Sequence, residues 1–102
     1  MKNGKVFVIS LLVLVMFVGL AVATPKVELY ITSWCPYCQK ARDFFRAKGI
    51  PFTEYDIEKD KEAAIRKRHL DNRNGVPFVV IDGRGIHGYS EAAYEAVLKG
   101  SK

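Results

Sequence analysis

The chain has 102 residues, 49% apolar and 26% charged, and its 16 basic and 11 acidic side chains give a net charge of +5. That balance excludes a strongly basic nucleic-acid-binding tail and a disordered chain, and two cysteines exclude a multi-bridge disulfide scaffold. Setting aside the first 23 residues leaves 79, room for one small domain; Lys2 and Lys5 belong to that first segment, so the remainder carries +3.

The first segment has no acidic residue. Lys2 and Lys5 form a basic start, residues 6–22 are an unbroken uncharged run, and Ala21-Val22-Ala23 fits the small-x-small pattern of an export cleavage site. A buried core helix would show a polar face, which this run lacks. The expectation is an export signal over residues 1–23, followed by a domain over 24–102. The run is just shorter than the roughly 20 residues that span a bilayer, so a retained inner-membrane anchor over residues 6–22 is the alternative. Only Thr24 and Pro25 separate Ala23 from the first predicted strand, a spacer short enough to favour cleavage. Either way the basic end stays in the cytoplasm, and the domain is exported to a periplasmic or other extracytoplasmic space where disulfides persist.

After the leader, Val27, Leu29 and Ile31 alternate with Glu28, Tyr30 and Thr32, the period of a strand. Ser33-Trp34-Cys35-Pro36 interrupts it. A helix follows over 36–48, because Ala41, Phe44, Phe45 and Lys48 fall on one side, Pro36 suits its first turn and Gly49 its stop. Pro51 precedes a strand over 52–57. Asp60 opens a second helix with Glu62 in its first turn and Arg66, Lys67 and Arg68 further on, a charge run read as a solvated face. Residues 72–75 form a loop. Phe78–Ile81 is continuously apolar, as expected of a strand covered on both faces. A turn over 82–85 leads to a short strand at Ile86 and His87. Ser90 then caps a last helix in which Ala93, Tyr94, Val97 and Leu98 face inward. Phe44, Phe45 and Phe52 read as core. The β-α-β unit requires a right-handed crossover and parallel strands, whereas the tight turn makes the last two antiparallel. The fold class is therefore α/β, a small mixed sheet with helices packed against it.

Cys35-Pro36-Tyr37-Cys38 lies where the first strand gives way to a helix. Thiols three residues apart at a helix start can be bridged without distorting the backbone. The free N–H groups and positive pole of the helix favour thiolate at the first position, and a thiolate, not a thiol, attacks disulfides. Cys35 is accordingly the expected nucleophile at the exposed start of the helix. Cys38, one turn in, resolves the mixed disulfide. A structural bridge is the weaker reading, since closing so short a loop removes little chain entropy. Metal or iron–sulfur cluster binding through the same cysteines is the alternative from another class. One pair supplies half of a tetrahedral ligand set, however, and neither His69 nor His87 is spaced to complete it.

Trp34-Cys35-Pro36-Tyr37-Cys38 after a strand, Val76-Pro77 before the third strand and Gly88 before the last helix together resemble glutaredoxin, over residues 26–98. The resemblance implies a thioredoxin-like four-stranded mixed sheet flanked by about three helices. It also implies a cis peptide before Pro77, which sets the Val76 backbone beside Cys35 to pair with a bound peptide or glutathione. The implied activity is thiol–disulfide exchange with disulfide-containing proteins or low-molecular-weight thiols. It needs no cofactor, metal or nucleic acid, and glutathione is a possible co-substrate. Binding is expected from Trp34, Tyr37, Val76, Pro77, Gly88 and Ser90. Trp34 and Tyr37 form an apolar lip for the partner, or Trp34 only shields Cys35. The departures bear on glutathione. Thr32 stands where the family has lysine, Gly75 where it has threonine, and His87-Gly88-Tyr89-Ser90-Glu91 where it has Gly-Gly followed two residues later by Asp. Losing one charge-assisted hydrogen bond costs ~1.5–3 kcal/mol, about ten- to a hundredfold in affinity. Arg73 reads as a solvated loop residue rather than a replacement for the lysine. A monomer is expected, touching the membrane only through its N-terminal segment.

Overall fold

A computed structural model describes residues 24–100; the expected export signal or anchor, residues 1–23, lies outside them, as do the last two positions of the expected domain. Four strands and three helices follow in the order β1 (Val27–Ile31), α1 (Pro36–Ala47), β2 (Thr53–Asp56), α2 (Lys61–Leu70), β3 (Phe78–Ile81), β4 (Arg84–His87) and α3 (Glu91–Gly100). The sheet order is β2-β1-β3-β4, with β1 parallel to β2 and antiparallel to β3, and β3 antiparallel to β4. This is the mixed topology expected from the crossover and the tight turn.

Helices cover both faces. Val27, Leu29 and Ile31 of β1 and Val79 and Ile81 of β3 meet Ala41, Phe44 and Phe45 of α1 and Tyr94 of α3. On the opposite face Tyr30, Phe78 and Val80 pack with Ala63 of α2. β3 needs no polar side because a helix layer lies on each. The same cover corrects the reading of β1, where Tyr30 and Thr32 fell on the polar side of the alternation; both are buried. Tyr30 stacks on Tyr55 at 5.2 Å, and its hydroxyl accepts a 3.3 Å bond from Arg66. Its polar tip is thus satisfied while its ring joins the core.

Boundaries differ from the expected ones by a residue or two, for local reasons. α1 ends at Ala47, with Lys48 as cap and Gly49 at φ +69° turning the chain. β2 is shorter than 52–57 because Phe52 leaves the ladder to pack 6.2 Å from the Phe45 ring. Asp60 and Ser90 cap α2 and α3, accepting from the amides of Ala63 at 3.1 Å and Ala93 at 3.2 Å. Asp82 and Gly83, both at positive φ, make a two-residue hairpin turn, so β4 begins earlier, at Arg84. The charge run on α2 is also not uniform. Arg66 and Arg68 are exposed, but Lys67 is buried, because its position on the helix points toward β3 and the following loop.

Candidate active site

The end of β1 delivers Thr32 through Cys35 to the rim of the sheet, and Cys35 is the N-cap of α1. Its sulfur turns back over the first helical turn and accepts a hydrogen bond from the Cys38 amide at 3.1 Å. From the other side the loop before β3 approaches, and Cys35 Sγ lies 3.7 Å from the Val76 carbonyl oxygen, to which the thiol donates. Both contacts cover the sulfur. Cys35 is only 6% exposed, which corrects the expectation of an open helix start. Its N-cap role draws the side chain inward, and only an edge remains for an incoming group.

Cys38 is fully buried. Burial, reinforced by its hydrogen bond with Cys35, pushes its thiol up from 9.0 to about 12, against the opposing bond from the Thr32 backbone and the charge of Arg42. It remains protonated at neutral pH and so does not compete as a first nucleophile. Both cysteines are free thiols here, and a pair on one helical turn can close a bridge.

The expected binding residues form two groups. Trp34 and Tyr37 flank the thiols and are the exposed aromatics among the described residues, at 68% and 56%. The Trp34 indole N–H donates to both carboxylate oxygens of Glu58, at 3.1 and 3.2 Å. Tyr37 stacks against Tyr89 with ring centroids 6.4 Å apart, and the Lys40 ammonium lies 5.1 Å from the Tyr37 ring. The second group is the loop opposite. The Val76–Pro77 bond is cis, and the Pro77 carbonyl accepts from the Gly88 amide at 2.8 Å. The Gly88 carbonyl in turn accepts from the buried Tyr94 hydroxyl at 2.7 Å. Ser90 spends its hydroxyl capping α3, which leaves it a structural task.

Sequence reasoning missed three features. Glu58 lies 24 residues from Trp34, and no spacing links them. Tyr89 was visible within its run but carried no sign of its stack on Tyr37. The third is a buried ionic cluster of Lys67, Asp71 and His87 behind the Val76–Pro77 loop. Thr32, at the family's lysine position, is buried, and its hydroxyl lacks a partner among the described residues. Arg73 is exposed as expected, although its backbone belongs to that cluster. Among the described residues, no group of three or more His, Cys, Asp or Glu side chains converges as a metal-ligand set.

Comparison with known proteins agrees with this architecture. The glutaredoxin family model matches residues 27–86. A glutaredoxin of Pseudomonas aeruginosa is 47% identical over 64 residues, 63% of this chain and 76% of its own. Glutaredoxin 3 of Escherichia coli is 38% identical over 65 residues, 62% of this chain and 76% of its own. An uncharacterized glutaredoxin-like 8.6 kDa protein of Clostridium pasteurianum is 29% identical over 73 residues, 72% of this chain and 97% of its own. Among solved structures, a glutaredoxin of Archaeoglobus fulgidus superposes with a TM-score of 0.65 at 25% identity, covering 71% of this chain and 84% of that one. Sheet order, cysteine pair and matched region converge, and the chain belongs to the glutaredoxin family, whose domain is that of a thiol–disulfide oxidoreductase.

Proposed function

We propose that this protein is an exported dithiol oxidoreductase that exchanges electrons with disulfides of proteins or low-molecular-weight thiols through Cys35 and Cys38. The observation that carries this reading is the asymmetry of the pair. Cys35 keeps an accessible edge and accepts an amide hydrogen bond at its sulfur, whereas Cys38 is sealed in as a thiol.

In the reducing direction Cys35, as thiolate, attacks one sulfur of a partner disulfide. The partner's S–S bond breaks, its other sulfur leaves as a thiolate and takes a proton from water, and a mixed disulfide to Cys35 forms. Cys38 then attacks Cys35, its proton passing to the departing partner sulfur as the mixed disulfide breaks. Two electrons reach the partner, which ends as two thiols, and the protein ends with a Cys35–Cys38 bridge. The same steps run backwards when the partner is the weaker oxidant.

Recognition follows from what surrounds the sulfur. The Val76 backbone stands within 3.7 Å of Cys35 and offers an acceptor to an extended peptide. The exposed Trp34, held by Glu58, and Tyr37, held by Tyr89, give an apolar rim on which a partner's side chains can dock. Glutathione is a weaker fit. Thr32 is buried where the family places a surface lysine, and Ser90 is committed to a helix cap. The C38S variant, treated with a disulfide-bonded peptide, is expected to accumulate the mixed disulfide, and C35S is not. Equal activity of both variants and wild type refutes the assignment. The alternative, cluster or metal binding through the cysteines, is met by metal analysis and visible spectroscopy of anaerobically purified protein. Stoichiometric metal lost on thiol oxidation would favour it.

Export rests on the basic start, the uncharged run of residues 6–22 and Ala21-Val22-Ala23. Fused to a phosphatase that folds only outside the cytoplasm, residues 1–25 should give an active reporter. An inactive reporter overturns the export reading and leaves the chemistry standing.

A further inference from the structure

Behind the loop that faces Cys35 lies an ionic cluster that touches neither sulfur. The Asp71 carboxylate sits just past the end of α2, its side chain 5% exposed. One oxygen, Oδ2, receives the Lys67 ammonium at 3.1 Å and lies 2.8 Å from His87 Nδ1 of β4. The other, Oδ1, accepts the Arg73 amide at 3.2 Å. Lys67 spends a second proton on the Arg73 carbonyl, also at 3.1 Å, and its ammonium lies 5.7 Å from the Phe78 ring. Arg73 is therefore clasped at both its N–H and its C=O. The rest of the loop is pinned in sequence. Gly75, at φ +108°, faces the His87 ring, whose Cε1 would stand in ordinary contact, 3.7 Å, from a Cβ at that position; Val76 presents its carbonyl to Cys35, and Pro77 is bonded to Gly88.

A buried ion pair is a poor way to gain stability, because desolvation consumes most of its attraction. What it gives is geometry, since charge-assisted bonds tolerate few alternative arrangements. Here the end of α2, the loop that follows it and β4 are fixed to one carboxylate.

We propose that Asp71, with Lys67 and His87, positions residues 71–77 so that the Val76 backbone stands ready at Cys35 for the incoming disulfide. None of the three is a catalytic residue; they act through the loop. This rests on the proposed function and deepens it, because it assigns part of partner binding to residues behind the binding surface. Burial disfavours the Asp71 carboxylate, but bonds from His87, Lys67 and the Arg73 amide outweigh that and hold it below its ordinary value. The Asp71 carboxylate is therefore ionised at neutral pH and available to all three partners.

The test uses the full-length chain in detergent and a peptide in mixed disulfide with a chromophoric thiol. KM and kcat are followed at pH 7.5, together with the rate of Cys35 alkylation by iodoacetamide. His87→Ala is the first variant, because His87 is the most accessible member, at 22% side-chain exposure, and its loss leaves Lys67 and Asp71 paired. KM should rise at least about fivefold, equivalent to ~1 kcal/mol, with kcat and alkylation rate within about twofold of wild type. His87→Asn places an amide nitrogen near the position of Nδ1 and should bring KM back to within about twofold of wild type. Asp71→Asn should raise KM further than His87→Ala if it folds. An unchanged KM in His87→Ala, or a raised KM that His87→Asn fails to rescue, overturns the positioning role while the proposed function stands. A wild-type chain that turns over no disulfide overturns both.

Discussion

Selective alkylation tests the division of labour between the two thiols. Wild-type protein is fully reduced and exposed to limiting-time iodoacetamide at pH 7.5, and modified sites are counted by peptide mass spectrometry. The reference is an unstructured peptide containing Cys38 and its neighbours with serine at the Cys35 position. Cys38 is pushed up from 9.0 to about 12 by burial, then by its hydrogen bond with Cys35. That lowers its thiolate population about a thousandfold at pH 7.5. The rarer thiolate is a better nucleophile, and a Brønsted slope of about 0.4–0.5 returns ~16- to 32-fold of the loss. Cys38 should therefore react at least about tenfold more slowly than the peptide thiol on ionisation alone, and more slowly still because it has no exposed surface. Its rate should climb about tenfold per pH unit up to at least pH 10. Alkylation of Cys38 within fivefold of the peptide, or a pH–rate curve that levels near pH 9, would show that the second thiol is not sealed. The order of attack and resolution would then lose its basis.

Two further outcomes concern stability. Asp71 is held below its ordinary carboxylate value, so its contribution is present above pH ~4 and is lost as pH falls through the lower folded value. The Tm advantage of wild type over Asp71→Asn should be largest at neutral pH and shrink below pH 4; a constant difference down to pH 3 would mean the carboxylate is not held by its partners. Gly85→Ala should be destabilised by about 1–3 kcal/mol, because its Cβ would fall 2.6 Å from Cζ of the buried Phe78 ring. In a domain of this size that is a Tm loss of roughly 4 °C or more, and an unchanged melting curve would show that the ring can move aside.

The sequence by itself determined the elements and the chemistry-bearing pair. Alternation in β1, the apolar run of β3, Pro36 and Gly49 around α1, and the caps Asp60 and Ser90 are local signals, since each depends on neighbours within a turn or a pleat. Cys35 and Cys38 were legible for the same reason, because three residues of helix fix their proximity. Tertiary structure alone decided how far Cys35 is exposed, because the covering carbonyl of Val76 arrives from 41 residues away. It also decided that Lys67, within an apparently solvated charge run, is buried beside Asp71, and that His87 completes their cluster from another element. Lys67 and Asp71 stand one helical turn apart, but no local period encodes the burial of that pair or its contact with His87. Burial and charge pairing between distant segments exist only once two helix layers have closed on the sheet, and there the low dielectric gives each buried partner its weight.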